Sequence, residues 1–254
     1  MLDVLSHGDI FELRMNRPPA NALNHELLEA LLGAYTESLG AGARGLILSG
    51  QPGMFCAGID VPELLGQSRS DIHRFWSLLF QAGKSLASCP VPVVAALAGH
   101  SPAGGAVLAA HCDYRIAARA AAGGSFKIGF NEVQVGLPLP PSIMRVFTDL
   151  VGSRQARQIG MQGRLLLMEQ ALEIGLVDEI VAPESLAERT LEYLNGLLEL
   201  PPIAMNATRL DGKAHLIDVL EGSDDVERTT NAWFSDETRM AMQRLVESLT
   251  KDKK

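Results

Sequence analysis

The chain has 254 residues, 47% of them apolar and 20% charged, with a formal net charge of −8. That length suits one large domain or one domain with a small appendage, and the composition is that of a globular protein, not a disordered or fibrous one. The negative balance argues against a protein that coats nucleic acid, and no apolar run approaches the roughly 20 residues needed to span a bilayer. A local basic patch for a phosphorylated ligand stays compatible with this charge. Cys56, Cys89 and Cys112 are odd in number and lack metal-type spacing, so they read as buried free thiols of a reducing compartment. The short polar N-terminus lacks a signal-peptide core, which gives the expectation of a cytoplasmic protein without nucleic-acid or membrane partners.

In chain order, Val4–Leu5 and Ile10–Leu13 flank His7-Gly8-Asp9 and predict a hairpin. Asn24 is placed to cap a helix whose apolar face is Leu27, Leu28, Leu31, Leu32, Tyr35 and Leu39. Gly45–Leu48 reads as a buried strand, followed by an irregular loop from Gln51 to Asp60. Asp71 is expected to cap a helix from Ile72 to about Ala87, which Cys89-Pro90 stops. Val93–Leu97 reads as a second buried strand. Gly99, Pro102, Gly104 and Gly105 then predict a tight turn, and Ala106–Ala110 a buried helix.

Asp113–Ala117, Phe126–Ile128 and Leu176–Val181 are further strand candidates. Ser142–Leu150, Ser153–Met161, Met168–Ile174 and a run opened by Pro183 and continuing to Leu200 are helical patterns. Pro201-Pro202 is the clearest break, and only helical patterns follow it. Strands alternating with helices up to about Val181, then an all-helical tail, predict an α/β core spanning 1–200 with a helical C-terminal extension over 201–254.

Two loops each follow a buried strand candidate, one presenting Ala57-Gly58-Ile59 and the other Ala103-Gly104-Gly105. If the strands are sheet neighbours, backbone N–H groups of both loops converge on one oxygen. Such donors stabilise an enolate or a tetrahedral oxyanion, and losing one typically costs roughly 3 kcal/mol of barrier. Two ordinary surface turns are the alternative reading of the same spacing.

Four blocks, in order, resemble the signatures of the crotonase (enoyl-CoA hydratase/isomerase) superfamily: Phe55–Asp60, Ser101–Gly105, Cys112–Ile116 and Asn131–Gly136. The resemblance covers nearly the whole chain. It implies a spiral of ββα units, a helical trimerisation region giving a homotrimer or dimer of trimers, and a CoA thioester as substrate. It implies the backbone N–H groups of Ile59 and Gly104 as oxyanion-hole donors, with Ala57, Gly58, Asp60 and Asn131 along the bound substrate. No metal and no redox cofactor is implied, since CoA is part of the substrate. Arg14, Arg17 and Lys127 are candidate contacts for its adenine and 3′-phosphate.

Hydratases of this superfamily carry two glutamates, whereas one glutamate without a partner resembles the Δ3,Δ2-enoyl-CoA isomerases. Here the first position is Val107 and the second is Glu132. The resemblance therefore implies a 3-enoyl-CoA to 2-trans-enoyl-CoA isomerase of fatty-acid degradation, with Glu132 as its single acid/base. Glu132 lies in the apolar run Ile128–Leu137, where burial raises a carboxyl pKa. A hydratase or another enolate-forming acyl-CoA enzyme is the alternative within the family, and a non-catalytic acyl-CoA-binding subunit the alternative outside it.

Two further constellations stand in the sequence. Gly99-His100-Ser101-Pro102-Ala103 has the look of a nucleophile elbow, with Asp178 and His215 following in the required order, but Ala103 stands where a glycine belongs and Pro102 removes an oxyanion N–H. Trp233-Phe234 reads either as a cover for an acyl pocket or as helix-packing core.

Overall fold

A computed structural model describes residues 1–122 and 124–251. The chain opens with β1 (Leu2–His7) and β2 (Ile10–Met15), an antiparallel hairpin in which His7 faces Ile10. Asn24 caps α1 (His25–Gly40) by accepting the Leu27 N–H, and Leu27, Leu28 and Leu31 are buried on its inner face. Next come β3 (Gly45–Ser49), the short β4 (Gly53–Met54), α2 (Val61–Leu64) and α3 (Arg69–Ala87).

The start of α3 corrects the sequence reading. Ser68 is the cap, and Asp71 completes a reciprocal capping box from the third helical position. The pair Ser-x-x-Asp thus adds one turn before Ile72.

β5 (Val93–Leu97) is buried at every position, as expected of a strand covered on both faces. The stretch after it is not a turn. Gly99–Pro102 forms β6, because its neighbours in space, not in sequence, supply its ladder: Gly53 pairs with Gly99 and Ser101 with Ile128. α4 follows as Gly104–His111, one residue after β6 and buried along its whole length. The chain continues through β7 (Tyr114–Ala118), β8 (Lys127–Gly129), a 3-10 turn (Glu132–Val135), α5 (Pro141–Val151) and α6 (Ser153–Gln162).

Then come β9 (Leu166–Leu167), α7 (Met168–Glu173) and β10 (Glu179–Val181). β10 is shorter than its apolar run because Leu176 and Val177 are buried at the end of α7, with both N–H groups donating to Ala171 O. A separate 3-10 turn, Pro183–Ser185, precedes α8 (Leu186–Leu198). The tail is α9 (Pro202–Asp211), α10 (Ala214–Gly222), α11 (Asp225–Trp233) and α12 (Asp236–Lys251).

Two sheets result. The larger has the order β1-β2-β3-β5-β7-β10, parallel from β2 onward, and the smaller has the order β4-β6-β8-β9. Each turn of the chain lays one strand in the large sheet, the next in the small one, and then a helix: β3-β4-α3, β5-β6-α4 and β7-β8-α5. This is the ββα spiral of the crotonase fold. The tail closes the core: Leu216, Trp233 and Met242 belong to the same buried cluster as Leu48, Leu97 and Phe147. Trp233 is fully buried against Trp76, so helix packing is its role. Asp225 reaches across from α11 to accept the Ser142 N–H in the first turn of α5, which has no cap of its own.

Candidate active site

β3 and β5 are parallel neighbours, Leu46 facing Val93 and Ser49 facing Ala96, so the loops after them leave the sheet at the same end. The loops then touch. A Cβ on Gly105 would meet Cys56 O at 2.4 Å, and one on Gly58, which has φ +89°, would meet Ala103 Cβ at 3.0 Å and Gly104 N at 3.3 Å. Only backbone fits between them. Ala103 carries the strain of the junction, with φ 46° and ψ −119°, and its N–H is held by Gly129 O at 2.8 Å.

The consequence is a pair of unused donors. Gly104 is the first residue of α4, so its N–H has no partner within the helix. Ile59 pairs beside Leu23, but the bonds there run from Leu23 N to Gly58 O and from Asp60 N to Leu23 O. Neither the Ile59 nor the Gly104 N–H donates to any described residue. Both residues line one cavity of about 520 Å³.

Ala57, Asp60, Asn131 and Glu132 line the same cavity, so the structure brings together six of the seven residues singled out from the sequence; Gly58, the seventh, packs behind Gly104. Glu132 begins the 3-10 turn after β8. Its Oε2 is buried without a hydrogen-bond partner among the described residues, as is Asn131 Oδ1. Burial pushes the Glu132 carboxyl up to about 7. Asp60 is differently placed: it pairs with Arg17 at 2.7 Å and caps α2 through the Glu63 N–H. Arg17, also in the cavity wall, is shared with Glu63 at 2.7 Å. Arg14 instead pairs with Glu12 at 2.8 Å, and Lys127 is exposed beside His100; neither lines this cavity.

Sequence reasoning missed much of the apolar wall. Trp76 and Leu79 come from α3, Leu137 and Ile143 from the entry to α5, and Leu245 and Leu249 from α12. The spacing of Trp76 and Leu79 marks a core-facing stripe, which does not distinguish packing from cavity lining. Val107, one turn into α4, also lines the cavity and is an apolar side chain.

The nucleophile-elbow arrangement does not form. Ser101 is fully buried inside β6 and donates to Gly99 O at 3.2 Å, while Asp178 accepts the Arg115 N–H and exposed His215 bonds Asp149. A larger groove of about 910 Å³ lies elsewhere, under α9 and α10. Its carboxylates are already paired, Asp113 with Arg209 and Lys213, and Asp149 with His215. No group of three His, Cys, Asp or Glu side chains suited to a metal ion occurs among the described residues.

Residues 6–253 match the family model described as enoyl-CoA hydratase/isomerase. The chain belongs to the enoyl-CoA hydratase/isomerase family. Within this family it is 29% identical to human mitochondrial enoyl-CoA delta isomerase 1 over 245 residues, which cover 95% of this chain and 80% of that one. It is 31% identical to probable enoyl-CoA hydratase EchA17 of Mycobacterium tuberculosis over 211 residues, 82% of this chain and 77% of that one. The crystal structure of human mitochondrial delta3-delta2-enoyl-CoA isomerase superposes with a TM-score of 0.93 at 27% identity, covering 100% of this chain and 99% of that one. Isomerases and hydratases of the enoyl-CoA hydratase/isomerase family thus stand at nearly equal sequence distance. The choice between the two reactions rests on the contents of the cavity.

Proposed function

We propose that the protein is a Δ3,Δ2-enoyl-CoA isomerase, moving the double bond of a 3-enoyl-CoA to the 2-trans position, as in fatty-acid degradation. The observation that carries this reading is the count of carboxyl groups. Asp60 and Glu132 are the acidic residues lining the cavity, and Asp60 is held by Arg17; Val107 lines another wall. Glu132 is left as the one unpaired base.

The chemistry needs no more than one. The Glu132 carboxylate takes a proton from C2 of the bound thioester, and the C–H electron pair spreads through C3 and C4 as the double bond shifts. The resulting dienolate places negative charge on the thioester oxygen, where the Ile59 and Gly104 N–H groups receive it. Glu132 then returns the proton to C4, leaving a C2–C3 double bond and a regenerated carboxylate. A base with a pKa near 7 suits both halves of this shuttle, since it gives up the proton as readily as it accepts it. Ala57, Gly58, Asp60 and Asn131 would flank the thioester, whose CoA is substrate and not a resident cofactor. A hydratase would have to orient water as well, with Glu132 alone to do so.

The test is a pair of assays on purified protein, following the absorbance of the conjugated thioester. We expect 3-enoyl-CoA thioesters to be isomerised much faster than 2-enoyl-CoA thioesters are hydrated. Faster hydration would return the protein to hydratase chemistry, and tight binding with turnover of neither would make it a binding subunit. We further propose a cytoplasmic homotrimer or dimer of trimers assembled through the tail; light scattering showing a monomer at micromolar concentration would refute that assembly.

A further inference from the structure

Glu132 stands on the least self-sufficient element near the cavity. Its 3-10 turn is four residues long and buries none of them. Internally it is held by a few short-range backbone bonds, Gln134 N–H to Asn131 O at 3.0 Å, Gly136 N–H to Val133 O at 3.2 Å and Leu137 N–H to Glu132 O at 3.1 Å. A turn of this size does not fix a side chain by itself. Two outside contacts clamp it. On one side, Gln134 Nε2 donates to Gly163 O at 2.8 Å. On the other, Thr238 Oγ1 donates to Gly136 O at 2.7 Å.

The second clamp is built with care for fit. Thr238 is fully buried, and Gly136 (φ +77°) lies so close that a Cβ there would come within 2.8 Å of Thr238 Cα. Ser235 Oγ donates to Thr238 Oγ1 at 2.9 Å, fixing which way the Thr238 hydroxyl points, and receives the Thr238 N–H at 3.3 Å. The same helix, α12, lays Leu245 and Leu249 along the cavity.

We propose that Thr238 is a positioning residue for Glu132: through Gly136 it ties the turn carrying the base to α12, the helix that also forms part of the cavity wall. This rests on Glu132 being the base in the reading above. Packing of α12 and placement of the proton-transfer group become one event, so contact between an acyl chain and Leu245 or Leu249 is passed to the base.

Thr238→Val keeps the shape and removes the hydroxyl. We expect kcat to fall by about 10- to 100-fold, the scale of a misplaced catalytic group, with KM within about threefold. We also expect the acidic limb of the kcat profile to move to lower pH as the loosened carboxyl gains water. Thr238→Ser should restore both. Ser235→Ala, at an exposed position that leaves folding intact, should shift both in the same direction by less.

A Thr238→Val protein with wild-type kcat and acidic limb, or one whose only defect is a lower Tm, would overturn the proposal. Should Thr238→Val fail to fold, a Ser235→Ala protein with unchanged kcat and limb would overturn it equally. If the wild type turns over no enoyl-CoA, the proposed reaction fails but the positioning claim is still read directly. Carbon NMR titration of the Glu132 carboxyl, assigned with Glu132→Gln, should show a lower pKa in Thr238→Val than in wild type; equal values would refute it.

Discussion

The two halves of the cavity are built on different principles. The half carrying Ile59 and Gly104 is backbone, locked between parallel strands and pressed so closely that Gly105 leaves no room for a Cβ against Cys56 O. The half carrying Glu132 is a side chain on a turn with no buried residue of its own, held by Gln134 and by Thr238 from a helix over a hundred positions later. The first is rigid because the sheet is rigid. The second is as well placed as its remote contacts allow. Side-chain substitutions should therefore act mainly on the half carrying Glu132, while the half carrying Ile59 and Gly104 yields only to changes that move backbone.

The sharpest way to separate the halves is Glu132→Gln. It preserves shape and leaves both N–H donors in place, so turnover of 3-enoyl-CoA should fall by about 100-fold or more with little change in substrate affinity. Steady-state kinetics alongside calorimetry with acetoacetyl-CoA would check this. Unchanged turnover would remove Glu132 from the mechanism.

On the donor side, Gly105→Ala forces a methyl against Cys56 O, where the contact would otherwise be 2.4 Å. The two loops must part, so kcat should drop by about tenfold or more, and thermal stability should fall with it. Measured kcat and Tm equal to wild type would mean that the loops are looser than the comparison requires.

A further expected effect concerns stability and its pH dependence, not turnover. The Glu132 carboxyl has a folded pKa near 7 against an ordinary value of 4.5, so between these values the folded protein keeps a proton that the unfolded chain has released. Stability contributed by this group is fully present below about 4.5 and lost as pH rises through about 7. Glu132→Gln does not carry that loss. It should match wild type near pH 4 and exceed it near pH 8 by up to about 3 kcal/mol. Denaturant melts at the two pH values would show it, and equal stability at both would place the carboxyl in water.

Much of this was legible from the sequence where chemistry is local. The continuous apolar run Val93–Leu97, the Asn24 cap and the close-packed glycines Gly58 and Gly104 each carry their own signal. What was not legible depends on partners distant in sequence. Gly99–Pro102 looks like a turn because glycine and proline disfavour strands, yet it pairs on one side with a segment 46 positions earlier and on the other with one 27 positions later. The Ser68 cap was hidden because Asp71 is itself a good cap residue. In the site, the backbone donors and Glu132 were reached through the resemblance of their motifs to the family's, whereas Trp76, Leu79, Leu245 and Leu249 carry no such motif. The part played by Leu245 and Leu249 follows from where the tail helices come to rest.

That resting place also gives the site a history within the life of each molecule. Both sheets are complete by Val181, but part of the cavity wall, the Asp225 carboxylate at the start of α5 and the Thr238 clamp all come from the last 30 residues of the described chain. At a synthesis rate of about 5–20 residues per second, a growing chain spends some seconds with its strands made and the indole of Trp76 still waiting for Trp233. During that interval the residues presenting the Ile59 and Gly104 donors are made, but the part of the wall that Thr229, Leu245 and Leu249 supply is not. A newborn chain thus has its strands before the last piece of the cavity wall and before the Thr238 clamp.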